Sequence, residues 1–194
     1  EIFEQPQAIR DTLESRITND SVLISAFGFK AEEIFNKVSQ VQIVACGTSY
    51  NAGLVAKYWL EDIAKISCNI EVASEYRYRR PVLLNKTLFV TLSQSGETAD
   101  TVEALKAAKK INSSINTLCI TNSAESSLTR LSDLIFLTHA GPEISVASSK
   151  AFTTQLVALA LLTCSIGKLK NTINKKQEKE IIDGLKRLPG LVSE

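Results

Sequence analysis

The stretch SQSGETADT (93–101) puts three hydroxyl residues, an amide, a glycine and a glutamate into its first six positions. It lies between an apolar run, TLFVTL (87–92), and a helix-like one, VEALKAAKKI (102–111). This composition suits capture of an anion by neutral donors. Ser93, Ser95 and Thr98 offer O–H groups and Gln94 an amide, while the helix that follows presents free N–H groups and the positive end of its dipole. Gly96 would let the backbone approach a ligand with no Cβ in the way. A cradle without lysine fits a ligand that binds and leaves as a dianion, such as a phosphate ester. Taken alone, the stretch reads equally well as a helix N-cap at Ser95 with Glu97 as the acid of the first turn.

A second segment, CGTSYN (46–51), repeats the small, hydroxyl-rich composition directly after another apolar run. Neither segment matches a Gly-Lys-Ser/Thr phosphate loop or a dinucleotide Gly-x-Gly-x-x-Gly turn. The remaining candidates have simpler readings. Cys46 has no histidine placed in sequence to activate it and reads as a structural thiol. His139, the single histidine, reads as a loop residue of HAGPE. Glu75, Glu143 and Lys150 read as surface or helix-cap charges, and Ser148 and Ser149 as caps of the last long apolar helix that could also close the pocket. Arg77, Arg79 and Arg80, followed by Pro81, read as a solvated loop. Cys46, Cys68, Cys119 and Cys164 lie far apart with no Cys-x-x-Cys pair, which implies reduced thiols, no metal site and a cytoplasmic setting.

These residues need a frame. VQIVAC (41–46), CNIEVA (68–73), TLFVTL (87–92), TLCIT (117–121) and LIFLT (134–138) are apolar on both faces, as strands of a parallel sheet covered on both sides are. Helical stretches fall at 50–66, 98–111, 125–133 and 150–167, the last nearly all apolar and therefore buried. The order predicts an α/β fold: a doubly wound, five-stranded parallel sheet with helices on both faces. With the flavodoxin-like strand order 2-1-3-4-5, the ligand crevice opens between strands one and three, where 46–51 and 93–100 leave the sheet. Residues 1–40 read as two amphipathic N-terminal helices, with Pro6 in the first opening turn. Residues 41–167 read as the α/β domain and 168–194 as a helical linker, whose solvated helix leads to Pro189-Gly190.

The 194 residues are 44% hydrophobic and 22% charged with a net charge of +1, an ordinary globular composition that gives no electrostatic case for nucleic acid or an anionic membrane. No apolar stretch is read as long enough to span a membrane, and no secretory signal opens the chain. The sequence holds no methionine, even at its start, which makes a segment of a longer protein the expectation.

CGTSYNAG (46–53), ASEYRYR (73–79), LSQSGETADT (92–101) and EISVASSKAFTTQL (143–156), with the opening EIFEQPQAIRDTL, resemble the isomerase half of the glutamine–fructose-6-phosphate aminotransferase family. That family carries a glutaminase domain and two consecutive sugar-isomerase (SIS) domains. It makes glucosamine 6-phosphate from fructose 6-phosphate and glutamine, toward UDP-N-acetylglucosamine. The resemblance implies that this chain is the first SIS domain. It further implies that Ser93, Gln94, Ser95 and Thr98 hold the phosphate, that Thr48 closes its other side, and that Cys46, Gly47, Ser49, Val146 and Ser148 line the sugar. The family's general base, ring-opening histidine and Schiff-base lysine belong to the second SIS domain and the tail. No catalytic residue, cofactor or metal ligand is therefore expected here, and His139 does not match the catalytic histidine. The partners implied are the missing SIS and glutaminase domains and a second copy in a homodimer. A sugar-phosphate-sensing domain of a transcription regulator is the alternative.

Overall fold

Five parallel strands carry the architecture: β1 (Gln40–Ala45), β2 (Ser67–Val72), β3 (Thr87–Ser93), β4 (Asn116–Thr121) and β5 (Leu134–Leu137). They lie in the order β2-β1-β3-β4-β5 in a computed structural model that describes residues 1–145 and 148–194. Alternate residues along each strand face opposite layers. Ile43, Val90, Ile120 and Phe136 enter the larger core, whereas Val44, Phe89 and Cys119 enter the smaller one.

The larger layer is built from α1 (Gln5–Leu13), α2 (Ala31–Lys37), α3 (Gly47–Asp62), α7 (Lys150–Leu169) and α8 (Lys175–Ser193). The smaller one is built from α4 (Ala73–Tyr76), α5 (Ala99–Ile111) and α6 (Ser127–Leu131). The doubly wound, two-faced α/β sheet expected from the apolar runs is the fold observed. β1 pairs with β2 on one side and β3 on the other, so the chain winds outward in opposite directions from these two strands.

Several local expectations change. Helix α3 opens at Gly47, immediately after β1, so Thr48 and Ser49 belong to its first turn and not to a loop. Gly47 takes φ +55°, which a glycine adopts at little cost and which turns the chain sharply from strand to helix. Helix α8 does not stop at Pro189-Gly190 but runs on to Ser193. Nor is α8 fully solvated: Ile182 is buried, and Ile181, Leu185 and Leu188 pack on the larger core.

Helix α7 corrects the reading that no stretch is long enough to span a membrane. It is the single described helix long and apolar enough to cross one by length and composition, with a mean hydropathy of 1.4. Yet 67% of that window is buried inside the fold, where α7 packs on α3 and α1. What it leaves uncovered joins α3 and α8 in an apolar groove of about 470 Å³, lined by Trp59, Leu156, Ala160, Leu185 and Leu188 among others. Glu180 is the one charged residue in that lining.

Candidate functional site

The crevice forms where winding reverses. Ala45 pairs with Leu92 in register, so β1 and β3 end side by side and release Cys46 and Ser93 next to each other. Helix α3 starts at once, with Cys46 as N-cap and no side chain bonding its free N–H groups. Helix α5 starts six residues past Ser93, with Thr98 as N-cap and again no side-chain cap. By contrast, α6 and α8 each carry a complete capping box, from Ser126–Thr129 and Asn174–Gln177. The two helices that open beside the switch point keep their N-terminal donors available.

The hydroxyls of the second segment form a local network. Ser93 Oγ lies 2.9 Å from Thr98 Oγ1 and accepts the Gly96 N–H at 3.0 Å. Ser95 is exposed, and its Oγ accepts the Glu97 N–H at 3.2 Å, a turn contact outside α5 and not an N-cap. Glu97 is not a first-turn acid either. Its carboxylate crosses to α6 and accepts the Ser127 N–H at 2.7 Å, and hydrogen bonds from Ser127 hold its pKa below the ordinary carboxylate value. Asp100 turns to Arg77 at 2.6 Å. Both carboxylates near the start of α5 are thus engaged by partners on other elements.

Gly96 has a different role from the one its sequence suggests. Its φ is +67°, and a Cβ there would sit 2.2 Å from Ser126 Oγ and 2.9 Å from Thr121 Oγ1. The missing side chain makes room for the start of α6, not for a ligand. A Cβ on Gly47, in contrast, would meet nothing within 4 Å.

Ser49 lies in the first turn of α3, and its Oγ receives the Gln155 Nε2 donor of α7 at 3.0 Å. The segment leading into α7 is held by acids. Glu143 accepts from Ser149 N at 2.6 Å, from Ala151 N at 3.2 Å and from Ser148 Oγ at 3.1 Å, so the cap of α7 is Glu143 and Ser148 is tied to it. Glu1 accepts from Ile144 N at 2.6 Å and from Ser145 Oγ at 2.6 Å, and these bonds lower its pKa to about 2. Lys150 is not the surface or cap charge expected. It is 3% exposed and paired with Glu4. Val146, named among the sugar-lining candidates, lies outside the described residues.

The structure therefore brings Cys46, Gly47, Thr48, Ser49, Ser93, Gln94, Ser95 and Thr98 to one end of the sheet, with Ser148 at the opening of the helix that reaches Ser49. Gln94 also joins Asn122, Ser123, His139, Gly141 and Pro142 around an open polar hollow of about 530 Å³. His139 is exposed there, 3.5 Å from Arg16. Cys68, Cys119 and Cys164 are buried, and burial pushes each thiol up to about 12, which leaves them unreactive at neutral pH. Sequence reasoning did not single out Gln155. Its signal, an amide at the start of the apolar run of α7, was visible but had no partner to be read against.

A parallel doubly wound sheet with this crevice defines a class, and the comparison with family models agrees. Residues 34–165 match the SIS domain, and the chain belongs to that family. Within it, the chain is 54% identical over its whole length to the glutamine–fructose-6-phosphate aminotransferase [isomerizing] of Aliivibrio fischeri, of which it spans 32%. It is 56% identical to that of Pseudomonas syringae pv. tomato, again over its whole length and 32% of the relative. The solved C-terminal domain of glucosamine-fructose-6-phosphate aminotransferase from Francisella tularensis superposes with a TM-score of 0.94 at 49% identity, covering 98% of this chain and 53% of that one. The chain is homologous to part of the isomerase half of these enzymes and spans about a third of the curated relatives it matches.

Proposed function

We propose that this chain is the fructose 6-phosphate-binding part of a glutamine–fructose-6-phosphate aminotransferase (isomerizing). The observation that carries the reading is the convergence of two uncapped helix N-termini, α3 and α5, at the switch point of the sheet. In this reading the N–H groups of both helices, with the hydroxyls of Thr48, Ser93, Ser95 and Thr98 and the amide of Gln94, surround the phosphate. Cys46, Gly47, Ser49 and Ser148 face the sugar. Engagement of Glu97 and Asp100 elsewhere leaves the incoming dianion facing neutral donors, which bind it without trapping it as a lysine cluster would.

The chain's part in the reaction is to bind and orient. Proton transfer on the sugar falls to the second SIS domain and the tail of the parent protein, and release of ammonia from glutamine to its glutaminase domain. Four unpaired cysteines support a reducing, cytoplasmic setting. The whole-chain likeness to aminotransferases favours this reading over a sugar-phosphate-sensing regulator.

Calorimetric titration tests it. Fructose 6-phosphate is expected to bind and unphosphorylated fructose not to. Equal binding of the two sugars, or binding of neither, would overturn the assignment.

A further inference from the structure

Gln155 sits in the first half of α7 and is 2% exposed. One end of its amide has a partner and the other has none. Nε2 donates to Ser49 Oγ at 3.0 Å, while the buried Oε1 has no hydrogen-bond partner among the described residues. A buried carbonyl left without a donor is destabilising, and a methionine or leucine would suit the surrounding apolar helix better. An unpartnered buried amide that persists in such a place calls for an explanation beyond packing.

The chemistry of the partner supplies one. A serine hydroxyl has a single proton and two lone pairs, and in the first turn of a helix it is free to use either. Here an amide N–H occupies a lone pair, so the Ser49 proton is directed elsewhere. Ser49 stands two residues past Gly47, at the opening of α3, where the free N–H groups of the helix already favour an anion. An oxygen that accepts from Gln155 keeps its proton for another acceptor, and an oxygen of a ligand in the crevice would be one.

We propose that Gln155 is a positioning residue that fixes Ser49 as a hydrogen-bond donor to the bound sugar phosphate. The unpartnered Oε1 is the structural cost of that orientation. This inference rests on the reading of the crevice as a sugar-phosphate site.

The test uses Gln155→Met, Gln155→Glu, Ser49→Ala and the double variant Ser49→Ala/Gln155→Met in the full-length protein, each measured by thermal melting and by titration with fructose 6-phosphate. Gln155→Met should melt at or above the wild-type temperature, because the orphan carbonyl is gone, yet bind roughly three- to tenfold more weakly. Gln155→Glu should bind more weakly still, because a carboxylate accepts the Ser49 proton and reverses the hydroxyl. The double variant should bind no more weakly than Ser49→Ala alone, a non-additivity that a packing role would not produce.

A Gln155→Met variant that melts lower and binds like wild type would assign Gln155 to packing and overturn the inference. Fully additive losses in the double variant would overturn it as well. Wild type that fails to bind fructose 6-phosphate would remove the crevice reading and this inference together, whereas binding by wild type and Gln155→Met alike removes the inference alone.

Discussion

Ser95 and Gly96 are neighbours whose replacement should have opposite consequences. Ser95 is exposed and caps no helix, so Ser95→Ala should leave the melting temperature nearly unchanged. A hydrogen bond to a charged group contributes roughly 1.5–3 kcal/mol, so its loss should weaken fructose 6-phosphate binding about ten- to a hundredfold. Calorimetry beside a thermal melt separates the two effects, and a variant that melts lower but binds normally would count against the phosphate cradle. Gly96→Ala should do the reverse at first hand. Its Cβ would collide with Ser126, and the backbone at φ +67° disfavours any side chain. Overpacking of this kind costs about 1–3 kcal/mol, read in urea melts as a lower midpoint. An alanine variant of wild-type stability would show that α6 can move away freely.

Among the elements, α8 adds to its apolar packing one acid that ties it to three partners. Glu178 accepts from Ser21 Oγ at 2.6 Å, from Val22 N at 3.0 Å and from Lys168 Nζ at 3.0 Å. Burial pushes its pKa up, but the hydrogen bonds and the Lys168 charge outweigh burial and bring it below 4.5. A carboxyl with a lowered folded pKa contributes stability that is complete above the unfolded value and is lost as pH falls through the folded one. Glu178→Gln should therefore be less stable than wild type at pH 7, by roughly 1–3 kcal/mol, and the gap should close toward pH 3. Urea melts across that range are the measurement, and a gap that stays constant with pH would show that the charge contributes nothing. The same logic explains why α8 does not end at Pro189. Packing of Ile182 and its neighbours holds the helix beyond the residue that removes one of its N–H donors.

At the scale of the molecule, two expectations follow from what the chain contains and what it leaves uncovered. The apolar groove between α3, α7 and α8 should drive self-association, through Leu156 and Leu188 and not through a disulfide. Light scattering in reducing buffer should show a dimer that Leu156→Glu disperses, and a strict monomer at high concentration would count against it. The isolated chain should also make no glucosamine 6-phosphate from fructose 6-phosphate with glutamine or ammonia, because the proposed chemistry needs groups from the rest of the parent. Turnover above a buffer blank would show that the chain holds catalytic groups of its own.

The strands, their parallel order and the two segments at the switch point were legible in the sequence, because apolar runs, small-residue turns and helix starts are set by neighbours a few positions apart. Helix ends were less so: α3 begins earlier than its pattern suggested and α8 continues past a proline, since tertiary packing outweighs local preference. Most of what holds the candidate site together lay beyond any local pattern. Gln155 and Ser49 are 106 residues apart, and Glu1 and Ile144 are 143 apart. The reason Gly96 must be glycine is Ser126, thirty positions on in another helix. Sequence by itself determined which residues could donate to an anion and which elements would carry them. Only the tertiary structure decided which acids turn away, which amide orients a hydroxyl and which lysine is buried, because each of these depends on a partner that folding alone brings within hydrogen-bond reach.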